Sequence, residues 1–282
     1  MQAFKIQGGV KLSGEVIPQG AKNEALQIIC ATLLTSDEVI INNIPDIIDI
    51  NKLIYLLKSL GVEINKIKPN SYSFKAENID LNYLNSDKFK IDGKSLRGSI
   101  MIVGPLLARF GKAYIPRPGG DKIGRRRLDT HFEGLIKLGA KFTYSKQDYF
   151  YGVKAKKLKG TYILLDEASV TGTANVLMAS VLAEGLTTIY NAACEPYIQQ
   201  LCKLLSSMGA NIEGIGSNLL KIYGVKELKG AEHSVLPDMI EIGSWIGLAA
   251  MTKSSIRIKN VSWENLGVIP NVFRSLGINL IK

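Results

Sequence analysis

One order of signals recurs four times along the chain, so any fold must accommodate four copies of one unit. Each copy opens on Leu-X-Gly: Leu12-Ser13-Gly14, Leu96-Arg97-Gly98, Leu158-Lys159-Gly160 and Leu228-Lys229-Gly230. Each closes on an apolar residue followed by Gly61, Gly139, Gly209 or Gly277. Three copies carry an alternating strand ending in Asn at the midpoint: Val39-Ile40-Ile41-Asn42, Thr188-Ile189-Tyr190-Asn191 and Ile256-Arg257-Ile258-Lys259-Asn260. A strand is expected after Leu-X-Gly, then a helix such as Lys22 to Leu34 or Ala174 to Leu182. Past the midpoint, Ile50, Leu53, Ile54 and Leu57 fall at helical spacing. The closing Gly stops that second helix by taking the left-handed cap conformation. A short strand, as in Val62-Glu63-Ile64, completes a βαβαβ unit. A period of roughly 70 residues is too long for a solenoid. An α+β globule with helices inward and sheets outward is expected. The first 20 residues differ: Phe4, Ile6, Val10 and Leu12 alternate around Gly8-Gly9 and predict a β-hairpin.

Composition narrows the function. The 282 residues carry 35 Lys and Arg against 25 Asp and Glu, a net charge of +10. No run of five like charges occurs, so the excess lies on a folded surface, where anionic small molecules and nucleic acid are both eligible partners. Three cysteines (Cys30, Cys194, Cys202) and two distant histidines (His131, His233) leave no disulfide framework and no metal-ligand spacing. Neither a metal nor a cofactor is expected. No apolar run reaches the roughly 20 residues of a membrane span, and Met1-Gln-Ala-Phe-Lys-Ile lacks a signal-peptide core. A cytoplasmic protein with reduced thiols and no membrane partner is the expectation.

Two stretches are suited to an anion. Gly20-Ala21-Lys22-Asn23-Glu24-Ala25 is a Gly-led turn into an apolar helix, where Lys22, Asn23 and free backbone N–H groups can meet a negative ligand. Lys22 also reads as an ordinary solvated first-turn lysine, although its charge opposes the helix dipole. Arg117-Pro118-Gly119-Gly120-Asp121-Lys122-Ile123-Gly124-Arg125-Arg126-Arg127-Leu128-Asp129-Thr130-His131 brings three glycines and five cations around the carboxylate of Asp121. Glycines let the backbone approach a phosphate, and arginine forks grip its oxygens in pairs. Asp121, acidic amid cations, is a proton-transfer candidate. A solvated basic loop or a nucleic-acid patch is the plain alternative, but interleaved aromatics are missing. Arg97 fits a cleft or a simple surface turn. Asp166 to Thr173 offers hydroxyls and N–H groups to a ligand, or else Ser169 or Thr171 merely caps a helix. Cys30 reads as core, Cys194 and Cys202 have no neighbouring base, and His233 sits in a polar turn. Trp245 and Trp263 read as packing.

Several of these motifs together resemble the enolpyruvyl transferases, specifically the branch that uses UDP-N-acetylglucosamine. They are Gly20-Ala21-Lys22-Asn23, Leu96-Arg97-Gly98-Ser99, Gly104 to Gly111, Pro118-Gly119-Gly120, Ile123-Gly124-X-Arg126-X-X-Asp129-X-His131 and Val235-Leu236-Pro237-Asp238. They occur in order over the whole chain. The resemblance implies an inside-out αβ barrel fold made of βαβαββ-type units, three to a domain. It also implies transfer of an enolpyruvyl group from phosphoenolpyruvate to the sugar 3′-hydroxyl in peptidoglycan precursor synthesis, with release of phosphate. Lys22 and Asn23 then match phosphoenolpyruvate contacts. Arg97, Arg126, Arg127, Leu128, Asp129 and Thr130 match substrate contacts, Arg126 near the phosphate, and His131 matches a ring beside the nucleotide. Glu167, Ala168, Ser169 and Val170 fall on a nucleotide-contacting turn. By the same likeness Lys22, Arg126 and Asp121 are the catalytic set.

Two departures accompany the likeness. Glu167 stands where the family usually has Lys, and Asp121 where it usually has Cys. With four units present, residues 21–230 are expected to form one complete domain. Residues 1–20 and 231–282 are expected to form part of a second domain whose other two units are absent, a C-terminally truncated chain. The apolar helix at Met239–Met251 would then lack its cover. A monomer is expected when all units are present, and exposed apolar surface leaves association open otherwise. Competing expectations are a transferase acting on shikimate phosphate and a nucleic-acid-binding module of βαβ units.

Overall fold

The computed structural model describes residues 3–116, 127–145 and 150–282. The first repeat runs β1 (Ser13–Val16), α1 (Lys22–Ala31), β2 (Glu38–Asn42), α2 (Ile48–Ser59), β3 (Glu63–Lys68) and β4 (Ser71–Lys75). The second inserts α3 (Asp87–Lys94) and continues α4 (Val103–Phe110), β5 (Lys112–Pro116), α5 (Asp129–Lys137), β6 (Lys141–Ser145) and β7 (Phe150–Lys154). The third is β8 (Tyr162–Leu164), α6 (Val170–Ser180), β9 (Leu186–Tyr190), α7 (Pro196–Ser207), β10 (Asn211–Glu213) and β11 (Leu219–Tyr223). The fourth holds β12 (Glu232–Ser234), α8 (Met239–Met251), β13 (Ser255–Ile258) and α9 (Ile269–Ser275). The full unit is therefore βαβαββ. The strands β4, β7 and β11 return antiparallel beside β3, β6 and β10. They escape the βαβαβ reading because β4, for one, buries Ser71 and Ser73 along with Phe74 and shows no clean alternation.

The closing glycines behave as expected. Gly61, Gly139, Gly209 and Gly277 all have φ between +81° and +106°, a backbone that residues with a Cβ rarely adopt. At the midpoints the left-handed asparagines are Asn43, Asn191 and Asn260, with φ of 57°, 58° and 54°. In the first repeat the turn residue is thus Asn43, one position beyond Asn42. Asn43 Nδ2 donates to the Val235 carbonyl and Asn191 Nδ2 to that of Leu165, at 2.8 and 3.0 Å. Each ties the turn to the residue just past a parallel strand.

The chain divides into two compact units, Lys22–Val235 and residues 1–21 with 236–282. Among the described residues the larger unit holds three sheets, in the orders β12-β2-β4-β3, β5-β7-β6 and β8-β9-β11-β10. Helices lie inside: α6 is buried throughout from Gly172 to Ser180 and packs on α4 and α5, while α1 packs on α7. The sheets show their outer faces, as in β2 and β9, whose inward residues alternate with exposed or half-exposed ones. The strand β12 belongs to the fourth repeat by sequence but pairs parallel with β2 of the first, Glu232 opposite Ile40. Hence the unit runs to Val235, five residues past 230. The opening Gly serves this pairing. A Cβ on Gly230 would stand 2.3 Å from the Glu38 carbonyl oxygen, and one on Gly160 2.4 Å from that of Leu186. In the second repeat Leu96-Arg97-Gly98 opens no strand. Residues Arg97–Ile102 form a 3-10 helix, with Ser99 Oγ donating to the carbonyls of Gly93 and Leu96, so among the described residues β5 has no parallel strand beside it like those on β2 and β9.

The smaller unit pairs β1 parallel with β13. The expected N-terminal hairpin does not form: residues 3–12 make no strand, and Phe4 and Ile6 are 97% and 88% exposed. The Leu12 N–H goes to Ser254 Oγ and Ser13–Val16 to β13, and among the described residues 3–11 pair with no strand; an isolated hairpin is marginal in water. The helix α8 is capped by Asp238 Oδ1, which accepts from the N–H of Ile240 and Glu241. Its Ile242 and Ile246 pack on Leu266, but its Ile240 and Met251 face outward. Among the described residues, no helix is long and apolar enough to cross a membrane.

Candidate active site

A cleft of about 540 Å3 opens in the larger unit where the N-termini of α1, α2, α5 and α6 meet. The first turn of α1 brings Lys22 and Asn23, the residues just before and within α5 bring Arg127, Leu128 and His131, and the approach to α6 brings Glu167, Ser169 and Thr171. The 3-10 segment contributes Arg97, Gly98 and Ile100, with Ser95 just before it. Each helix start carries a partial positive charge, so together they favour an anion.

The local sequence explains how each side chain is held. Ser169 caps α6, its Oγ accepting from the Gly172 N–H at 3.2 Å, so this residue both caps and lines the cleft. Gly172 lets α5 approach closely, since a Cβ there would sit 2.8 Å from Thr130 Cγ2. Thr130 is buried and donates to Asp166 Oδ1 at 2.9 Å, with Glu167 Oε1 at 3.4 Å. Arg127 spans Asp129 and Asp166, at 2.7 and 2.9 Å. These carboxylates raise the pKa of its guanidinium further. Lys22 forms an ion pair with Asp49 at the start of α2. Lys22 and Arg127 are thus matched with carboxylates at or just behind the cleft wall.

His131 is 2% exposed. Its pKa falls to about 4, first because burial disfavours the cation and second because Arg97 repels it. Nδ1 lies 3.0 Å from Asn175 Nδ2, and Nε2 lies 3.2 Å from Thr171 Oγ1. Asn175 was not legible as a site residue. It sits mid-helix in α6, in a stretch that reads as apolar core.

Of the residues expected at a site, Lys22, Asn23, Arg97, Arg127, Leu128, His131, Glu167 and Ser169 line the cleft. Asp129 and Thr130 stand behind it and hold Arg127 and the 166–167 turn. Ala168 and Val170 belong to the same turn but do not line the cavity. Asp121 and Arg126 lie outside the described residues. Thr171, from the hydroxyl-bearing stretch 166–173, also lines the cleft, while Ser169 takes the cap; Asp49 is a lining residue that sequence patterns gave no specific reason to choose. His233 is not in a polar turn: it lies on β12, its Nε2 3.1 Å from Oε1 of the fully buried Glu24. Cys30 is core, its thiol pKa pushed up by burial, and Cys202 is buried with its thiol pushed up to about 12.

The chain is similar to known proteins over nearly all of its length. It is 66% identical over 280 residues to UDP-N-acetylglucosamine 1-carboxyvinyltransferase of Bacteroides fragilis, covering 99% of this chain and 64% of that protein. The protein of the same name from Porphyromonas gingivalis is 60% identical over 278 residues, again with 99% and 64% coverage. The chain therefore spans about two thirds, strictly 64%, of the length of these curated relatives. Among solved structures, the enolpyruvyl transferase NikO from Streptomyces tendae superposes with a TM-score of 0.81 at 20% identity, covering 96% of this chain and 63% of that one. EPSP synthase from Acinetobacter baumannii gives 0.74 at 16%, with 95% and 60% coverage. The α+β fold, with helices inside and sheets outside, is that of the enolpyruvyl transferases. The family model described as EPSP synthase (3-phosphoshikimate 1-carboxyvinyltransferase) matches residues 6–281, and the chain belongs to that family.

Proposed function

We propose that this chain forms part of an enzyme that moves the enolpyruvyl group of phosphoenolpyruvate to the 3′-hydroxyl of UDP-N-acetylglucosamine, releasing phosphate. The observation that carries this is the cleft itself, where four helix N-termini converge with Lys22, Arg97 and Arg127. Both substrates are multiply charged anions, and fixed cations beside a departing phosphate stabilise the charge that develops on it. The relatives' name supports the nucleotide sugar as acceptor over a shikimate phosphate. In this proposal Lys22 and Asn23 hold phosphoenolpyruvate. Arg97, Arg127 to His131 and the Glu167–Val170 turn hold the nucleotide sugar, and Arg126 meets the phosphate. Asp121 transfers the proton. The setting is the cytoplasm and the product a peptidoglycan precursor.

Binding to the 282-residue chain tests this by titration calorimetry. UDP-N-acetylglucosamine should bind and 3-phosphoshikimate should not. Lys22→Ala and Arg97→Ala should each weaken binding of the charged ligands by about tenfold or more, the loss of a charge-assisted contact. Equal binding of both acceptors, or unchanged affinity in both variants, would reject the assignment.

A further inference from the structure

The buried amide of Asn175 determines where a proton sits at the cleft wall. Its Oδ1 accepts the Gly104 backbone N–H at 2.6 Å, and its Nδ2 donates to the Ile100 carbonyl at 2.9 Å. A backbone N–H only donates and a carbonyl only accepts, so these two contacts fix the orientation of the amide. The remaining Nδ2 proton points at Nδ1 of His131, 3.0 Å away. Nδ1 is therefore the accepting nitrogen. The imidazole is neutral at pH 7, since burial and Arg97 hold its pKa near 4. Its one proton must then be on Nε2, which faces Thr171 Oγ1 at 3.2 Å.

Thr171 accepts this proton, so its own hydroxyl hydrogen is left to donate elsewhere. His131 is the one hydrogen-bond partner of that hydroxyl among the described residues. Unlike Asn175 and His131, Thr171 is exposed, lines the cleft and stands in the first turn of α6. A hydroxyl that already accepts a hydrogen bond is a stronger donor, because successive bonds polarise one another.

Resting on the proposed nucleotide-sugar ligand, we infer that Thr171 donates its hydroxyl proton to a diphosphate oxygen, an acceptor that carries no hydrogen. His131 and Asn175 are positioning residues that turn the proton toward the cleft. The partial positive charge at the start of α6 places the same demand on the ligand there.

Two measurements test this. In the 15N spectrum of the 282-residue chain at pH 7, His131 should show a proton-bearing Nε2 and a bare Nδ1. A proton on Nδ1 overturns the relay whatever binds. In calorimetry, Thr171→Val should weaken UDP-N-acetylglucosamine and UDP alike, by about tenfold. Thr171→Ser, which restores the hydroxyl, should stay within about twofold of the parent. If the parent binds and Thr171→Val binds equally well, the inference fails alone. A loss confined to UDP-N-acetylglucosamine moves the contact to the sugar and overturns the diphosphate assignment. A parent that binds neither ligand removes the proposed function and this inference with it.

Discussion

Glu24 on α1 and His233 on β12, 209 positions apart, meet at 3.1 Å with the carboxylate fully buried. The contact fastens the helix that carries Lys22 and Asn23 to the last strand of the larger unit. His233→Leu would leave that carboxylate buried without this partner, and the expected loss is about 3 kcal/mol of stability. Glu24→Gln should lose less, because the amide can still hydrogen-bond the imidazole. Urea denaturation of the two variants checks the order. Losses under about 1 kcal/mol in both would show that the contact contributes little.

A second prediction concerns pH. The folded-state pKa of His131, about 4, lies below its ordinary 6.5. The folded protein therefore prefers the neutral ring. The contribution is fully present above pH 6.5 and is lost as pH falls from 6.5 toward 4, by about 3 kcal/mol in all. His131→Gln should be less stable than the parent at pH 7, and the gap should narrow at pH 4.5. A gap that widens on acidification contradicts a neutral buried ring.

The Leu-X-Gly glycines make a third. With carbonyl oxygens 2.3 and 2.4 Å from the place of a Cβ, Gly230→Ala and Gly160→Ala must push β12 off β2 and β8 off β9. Each should cost about 1–3 kcal/mol. Amide exchange should quicken selectively in the strand displaced. Unaltered exchange in β12 for Gly230→Ala would show that the backbone yields without strain.

Asn175→Ala removes one amide and leaves the Gly104 N–H, the Ile100 carbonyl and His131 Nδ1 unpaired in a dry interior. A loss of about 3–5 kcal/mol is expected, less than the sum of three independent deletions because the partners share a network. Thermal unfolding at pH 7 is the measurement, and a loss below about 1 kcal/mol would mean water replaces the amide.

What could be read from the chain alone follows the range of the interactions. The closing glycines and the apolar stripe of α2 are local, and they were legible because a backbone angle or a helical period is written within a few residues. Lys22, Asn23 and the turn around Ser169 were legible for the same reason, as starts of apolar helices. The hairpin at 4–12 misled because alternation specifies a strand only where a face is covered. Leu96-Arg97-Gly98 misled because its residues are taken up by a 3-10 helix that Ser99 Oγ ties to the carbonyls of Gly93 and Leu96. Glu24–His233, Asn175–His131 and Lys22–Asp49 link residues 209, 44 and 27 positions apart, and no local pattern announces such a pair.

The exchange of opening strands between the first and fourth repeats has a consequence for how the chain is made. The sheet begun by β2 is completed only when β12 arrives, joined to it by contacts such as Asn42–Glu232, 190 positions apart. The β1–β13 pair waits longer still, with Leu12 and Ser254 separated by 242. The third repeat needs no such wait, since β8 pairs with β9 of the same repeat. Closing so long a loop must precede any reward from the pairing. On the ribosome, the first of these repeats therefore matures late, and the edge of β2 stays open to wrong partners until β12 has emerged.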